Sequence, residues 1–141
     1  MDQPMGFDVR LSIPFAEAEE RVTEALKQEG FGVLTRIDVR ATIKEKMGKE
    51  FRPYVILGAC NPPLAHCALE NDPRVGLLLP CNVVMDERDD GVWASIVNPE
   101  VLLAVGPLAD NAPLCSVAAE ARVRLERVAA SLRDSHPAAG A

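Results

Sequence analysis

Aromatic residues are scarce: Phe, Trp and Tyr make up 4% of the 141 residues, with a single Trp and a single Tyr. Aliphatic side chains must therefore fill most of any core. An excess of basic residues is also missing, since 15 Lys and Arg stand against 21 Asp and Glu, a formal net charge of −6. Nucleic-acid binding rests on phosphate neutralisation by clustered Lys and Arg, so this balance argues against that partner. No stretch approaches the ~20 consecutive apolar residues a membrane-spanning helix requires. The longest apolar candidate, Val75–Met85, is broken by Pro80 and Asn82. Met1–Met5 contains Pro4, lacks a basic region, and precedes no apolar segment, so no secretory signal is expected. Cytoplasmic location is the resulting expectation, with the four cysteines as free thiols or ligands rather than a disulfide framework. No C-x-x-C pair occurs among them, which excludes a zinc ribbon and a thioredoxin-type motif.

What is present suffices for one domain spanning residues 1–141, long enough to bury a core without a disulfide or metal staple. Phe7, Val9, Leu11 and Ile13 alternate with polar residues, the period of a half-buried strand. Pro14 opens a helix whose apolar stripe is Phe15, Ala18, Val22, Ala25 and Leu26, and Gly30 closes it as a left-handed cap. Phe31–Ile37 reads as a second strand. Asp38 caps a short helix carrying Val39, Ile43 and Met47, ended by Gly48. Lys44, Lys46, Lys49 and Arg52 are interleaved with Glu45 and Glu50, read first as a solvated face, with an anion site as the alternative.

Tyr54–Ala59 is a continuous apolar run, consistent with a buried strand. Asn61 then caps a helix with Pro62 in its first turn, and Leu64, Ala65, Ala68 and Leu69 are expected to pack inward with Cys67 beside them. Val75–Leu79 and Val83–Met85 flank Pro80-Cys81-Asn82, where proline predicts a bend, bulge or edge. Asp90-Gly91 signals a hairpin turn leading into Val92–Val97. Asn98-Pro99 repeats the cap-plus-proline device and opens a short helix, Glu100–Val105. Leu114, Val117, Ala118, Ala121, Leu125, Val128 and Leu132 mark a long C-terminal helix over about 113–133, followed by a frayed tail at 135–141. The fold class is α+β: a mostly antiparallel sheet packed against helices.

Candidate chemistry centres on Cys60-Asn61 and Cys81-Asn82. A cysteine just before a helix start meets partial positive charge, which lowers a thiol pKa. The strand–turn–helix around Cys60 has the layout of a nucleophile elbow, without the G-x-S-x-G form. A cysteine phosphatase loop would need arginine six residues after the nucleophile, and that position holds His66. His66 is a base or ligand candidate, yet its pairing with Glu70 one turn on favours a plain surface histidine. His136, in the tail, carries no role. Cys67 and Cys115 are read as packing residues.

Gly30-Phe31-Gly32-Val33-Leu34, Ile37-Asp38-Val39, Gly58-Ala59-Cys60-Asn61-Pro62 and Leu79-Pro80-Cys81-Asn82-Val83 together resemble the domain-of-unknown-function family three-hundred-and-two. The resemblance runs from about Phe7 to Val105, leaving the helix from Leu114 outside it. It implies a compact α+β domain that forms homodimers, with Cys60, Asn61, Pro62, Pro80, Cys81 and Asn82 as marked positions. It assigns no activity, and the cofactor stays unknown.

Three functions stay open on these residues. The first is a thiol site in which Cys60 and Cys81 meet and handle a reactive sulfur species, form a redox disulfide, or hold a metal or haem. The second is a homodimeric binding module whose cysteines only pack, with a small molecule or anion beside the Asn61 helix start. The third, an enzyme using Asp86, Glu87, Asp89 and Asp90, is set aside because a hairpin tip is exposed to solvent. Two cysteines and one histidine fall short of the three or four ligands of a usual metal site, so no metal is assigned.

Overall fold

A computed structural model describes residues 3–135: Ser135, expected in a frayed tail at 135–141, ends the last helix, and the rest of that tail, His136 included, lies outside the described residues. Five strands form one sheet in the order β1-β5-β4-β3-β2, with every neighbouring pair antiparallel. They are β1 (Gly6–Leu11), β2 (Gly32–Asp38), β3 (Tyr54–Cys60), β4 (Cys81–Arg88) and β5 (Gly91–Val97). The helices are α1 (Phe15–Gln28), α2 (Val39–Met47), α3 (Pro62–Asn71), α4 (Pro99–Leu102) and α5 (Ala112–Ser135), with 3₁₀ turns at Pro73–Leu78 and Gly106–Asp110.

Strand alternation assigns the faces. Val9, Leu11, Val55, Leu57, Ala59, Val83, Met85, Val92, Ala94 and Ile96 all turn to one side and join Val22 and Leu26 of α1 and Leu125 and Val128 of α5 in the main core. The stripe expected on α1 is buried at Ala18, Val22, Ala25 and Leu26, and every position expected on α5 is buried. After α1 the N–H groups of Gly30 and Phe31 donate to the carbonyls of Lys27 and Leu26. That is the paired bonding of a Schellman cap, with Gly30 at φ 84° and Phe31 and Leu26 buried together.

A second, smaller core joins Ala68, Val75, Leu103, Leu108, Leu114, Val117 and Ala118. It ties α3, α4 and both 3₁₀ turns to the first half of α5. One cap recurs around it: the side chains of Asn61, Asn98 and Asn111 accept from the backbone N–H of Leu64, Glu100 and Leu114. Asn98 is wholly buried and also donates to the Pro4 carbonyl, which fastens the N-terminal segment beside α4.

Several local expectations are corrected. Val75–Leu79 is not extended: Pro73–Leu78 is a 3₁₀ turn, because the Asp72 carboxylate caps it by accepting from the N–H of Arg74. The bend expected at Pro80-Cys81-Asn82 falls at Pro80, just before β4, while Cys81 and Asn82 join a central ladder. The hairpin turn is Asp89-Asp90, with Gly91 (φ 137°) already paired to Arg88. Helix α4 stops at Leu102, three residues short of Val105. Cys67 and Leu69 are exposed, because α3 turns its i, i+4 pair Leu64 and Ala68 inward and leaves both neighbours outside.

Asp86, expected at an exposed hairpin tip, is instead 5% exposed within β4. Arg52 and Arg88 reach its two carboxylate oxygens at 2.6 and 2.9 Å. Burial works against its charge, but these hydrogen bonds and the two positive charges outweigh it and hold the carboxyl below its ordinary pKa. Arg52 also lies over the ring of Phe51 and Arg88 over that of Trp93. Of the basic run before β3, Arg52 and Lys44 are thus held by partners, Lys44 by Glu50.

Candidate functional site

Strand register answers how the two cysteine motifs relate. Gly58 pairs with Asn82 and Ala59 with Cys81, so Gly-Ala-Cys on β3 lies alongside Pro-Cys-Asn on β4. Residues 24 and 22 apart in sequence become direct neighbours. A Cβ at Gly58 would overlap Thr35 Oγ1 and stand 2.7 Å from Pro80 Cγ, so the Pro80 ring rests on the bare glycine backbone. That close approach is what the glycine in the first motif serves.

Cys60 and Cys81 line one cavity of about 40 Å³, together with Phe31, Ala59, Asn61, Leu64, Ala68, Pro80, Leu103, Val117 and Ala121. The cavity sits at the seam between the two cores. Phe31, Ala59 and Ala121 come from the main cluster, while Ala68, Leu103 and Val117 come from the smaller one. Its volume is more than the ~10–15 Å³ a water-sized group needs, so the space admits a small group. Both thiols are free and partly buried. Burial, with the neighbouring Cys60 charge adding to it, pushes the Cys81 thiol up to about 11. Cys81 is therefore a neutral thiol at pH 7.

Asn61 is buried at the cavity edge, where its side chain accepts from the Leu64 N–H at 3.2 Å. Pro62 and Pro63 have no N–H, and the Ala65 N–H donates to the Asn61 carbonyl. The first turn of α3 thus has no unused N–H group to offer an anion, which removes the physical basis for expecting one there. What remains beside the thiols is apolar surface.

The other sequence candidates lie elsewhere. Pro62 and Asn82 are exposed and do not line the cavity. His66 points to solvent from α3, with Nε2 3.6 Å from the Glu70 carboxylate, as its spacing suggested. Cys115 is exposed on the first turn of α5, its thiol donating to the Ala109 carbonyl at 3.5 Å. Among the described residues, no three His, Cys, Asp or Glu side chains gather as metal ligands. No helix among them is long and apolar enough to cross a membrane. Sequence reasoning missed Phe31, Leu103, Val117 and Ala121 as cavity walls. Their only sequence signal was membership of apolar stripes, which marks any core residue.

A crystal structure described as an uncharacterized conserved protein DUF302 from Bacillus stearothermophilus superposes with a TM-score of 0.81 at 32% identity. The match covers 91% of this chain and 98% of that one. No curated protein matches the chain. The family model described as "Domain of unknown function DUF302" matches residues 7–132, which takes in α5 and so reaches well past Val105, where the motif resemblance ended. Strand pairing brings the two cysteine motifs together within that span, and the chain belongs to the DUF302 family.

Proposed function

We propose that the protein binds a small, sulfur-containing ligand in the cavity where Cys60 and Cys81 meet. The observation that carries this reading is that Cys60 and Cys81, from adjacent strands, border one apolar cavity. Soft thiol sulfur and apolar walls suit a neutral or polarisable sulfur species better than a hydrated anion. At neutral pH the protonated Cys81 leaves Cys60 as the sulfur that reacts first.

Inorganic polysulfide, added to protein carrying Cys67→Ser and Cys115→Ser, is the test. The Cys60 sulfur attacks one polysulfide sulfur, an S–S bond of the polysulfide breaks, and the shortened polysulfide leaves with the electron pair. Intact mass should show one added sulfur, abolished by Cys60→Ser. Equal labelling of the Cys60→Ser variant, or none in either protein, overturns the reading.

A second reading, a homodimer, is favoured by the exposed apolar residues at one sheet edge. Leu34 and Ile37 on β2 are 68% and 48% exposed, and Met47 on α2 is 61% exposed. β2 is an edge strand, whose outer backbone groups are free to pair with a second copy. Sedimentation should give a dimer mass that Ile37→Lys reduces to a monomer. A monomer before substitution rejects this reading.

A further inference from the structure

From the register that sets Cys81 opposite Ala59, we infer that Cys81 is a resolving thiol: it attacks the sulfur-loaded Cys60, closes a Cys60–Cys81 disulfide, and releases hydrogen sulfide. The protein would then be a dithiol that reduces sulfane sulfur, with a polysulfide or persulfide as substrate class. This inference rests on the reading of the cavity as a sulfur site and assigns that site a reaction.

Two observations carry it. Cys60 is one residue along β3 from the partner of Cys81, and neighbouring strands are ~4.8 Å apart with a rise of ~3.3 Å per residue. Those spacings put the two Cα atoms about 6 Å apart, inside the range of roughly 4.4–6.8 Å that a disulfide spans. Strand alternation would turn Cys60 away from Cys81, but β3 ends at Cys60 and the chain turns there into α3. Both residues border the same cavity at that end of the sheet.

The step balances without an external oxidant. Cys60 first carries a persulfide, Sγ–SH. Cys81, neutral at pH 7, reacts through its thiolate fraction: once deprotonated, its sulfur attacks Cys60 Sγ, a new Sγ–Sγ bond forms, and the Sγ–SH bond breaks, a step that quickens as pH rises. Its electron pair leaves with the outer sulfur, which takes the Cys81 proton and departs as hydrogen sulfide. The sulfane sulfur is reduced, and the two cysteine sulfurs are oxidised to the disulfide.

A time course with inorganic polysulfide separates this step from the loading step. The protein with Cys67→Ser and Cys115→Ser should pass through a species heavier by one sulfur to one lighter by two hydrogens. One equivalent of sulfide should be released in that second phase. Adding Cys81→Ser should halt the sequence at the sulfur-loaded species and abolish that phase. If the protein retaining both cysteines also stops at the loaded species, the resolving role is overturned while the sulfur site stands. If neither protein gains sulfur, the site reading falls and this inference with it. Circular dichroism of each variant before the reaction confirms that only folded protein is compared.

Discussion

Leu125→Ala should lower stability by about 2–5 kcal/mol, the range for emptying a well-packed leucine site. Leu125 is wholly buried on α5, in the same cluster as Val22 and Leu26 of α1 and Val83 and Ile96 of the sheet. Helix α5 packs against both α1 and β1, so truncation at this point opens space where three elements meet. Two aliphatic helices on an aliphatic sheet also leave few large side chains able to swing into the gap. The urea midpoint should fall sharply with an unchanged slope, which marks lost stability rather than an altered unfolded state. Val123→Ala, two residues away and 47% exposed, should change stability by no more than about 0.5 kcal/mol. Equal midpoint shifts for the two variants would show that the buried stripe of α5 has been placed wrongly.

Gly58→Ala is the second large effect, and it reaches the site. A Cβ there would overlap Thr35 Oγ1 and meet Pro80 Cγ at 2.7 Å. The Thr35 hydroxyl can rotate aside, but the Pro80 ring is held by the backbone on both sides, so the strands must shift. Overpacking of this kind costs about 1–3 kcal/mol, which for a domain of this size lowers Tm by roughly 3–12 °C. Because Cys81 follows Pro80, the displaced ring should also expose its thiol and speed its alkylation at high pH. Thr35→Ala added to Gly58→Ala should recover part of the Tm and leave the alkylation change, since Thr35 relieves only one of the two overlaps. An unaltered Tm in Gly58→Ala would mean that Pro80 does not rest on Gly58.

Both variants act where local pattern and long-range pairing meet, and the same division runs through the site. Cys60 and Cys81 stood out in the sequence because each is followed by asparagine at a change of element. Asn61 as a helix cap was equally legible, since an asparagine before proline satisfies a backbone donor within three residues. Cys67 was misplaced by the same local logic, because Leu64, Ala68 and Leu69 together allow more than one inward face for α3. Asp86 was misjudged for the opposite reason. Its closeness to the hairpin turn suggested solvent, whereas Arg52, thirty-four residues earlier, encloses it.

The sequence by itself determined the type and place of most elements: the α1 and α5 stripes, the strand alternation of β1, the asparagine and aspartate caps, and the left-handed glycines at 30 and 48. These are properties of neighbours within about four residues, where periodicity, capping and φ preference act. Only the tertiary structure decided that Gly58-Ala59-Cys60 lies beside Pro80-Cys81-Asn82, that a cavity opens at the seam of two cores, and that His66, Pro62 and Asn82 stand away from it. Strand register is set by which faces are buried together across the whole sheet, so no window of sequence contains it.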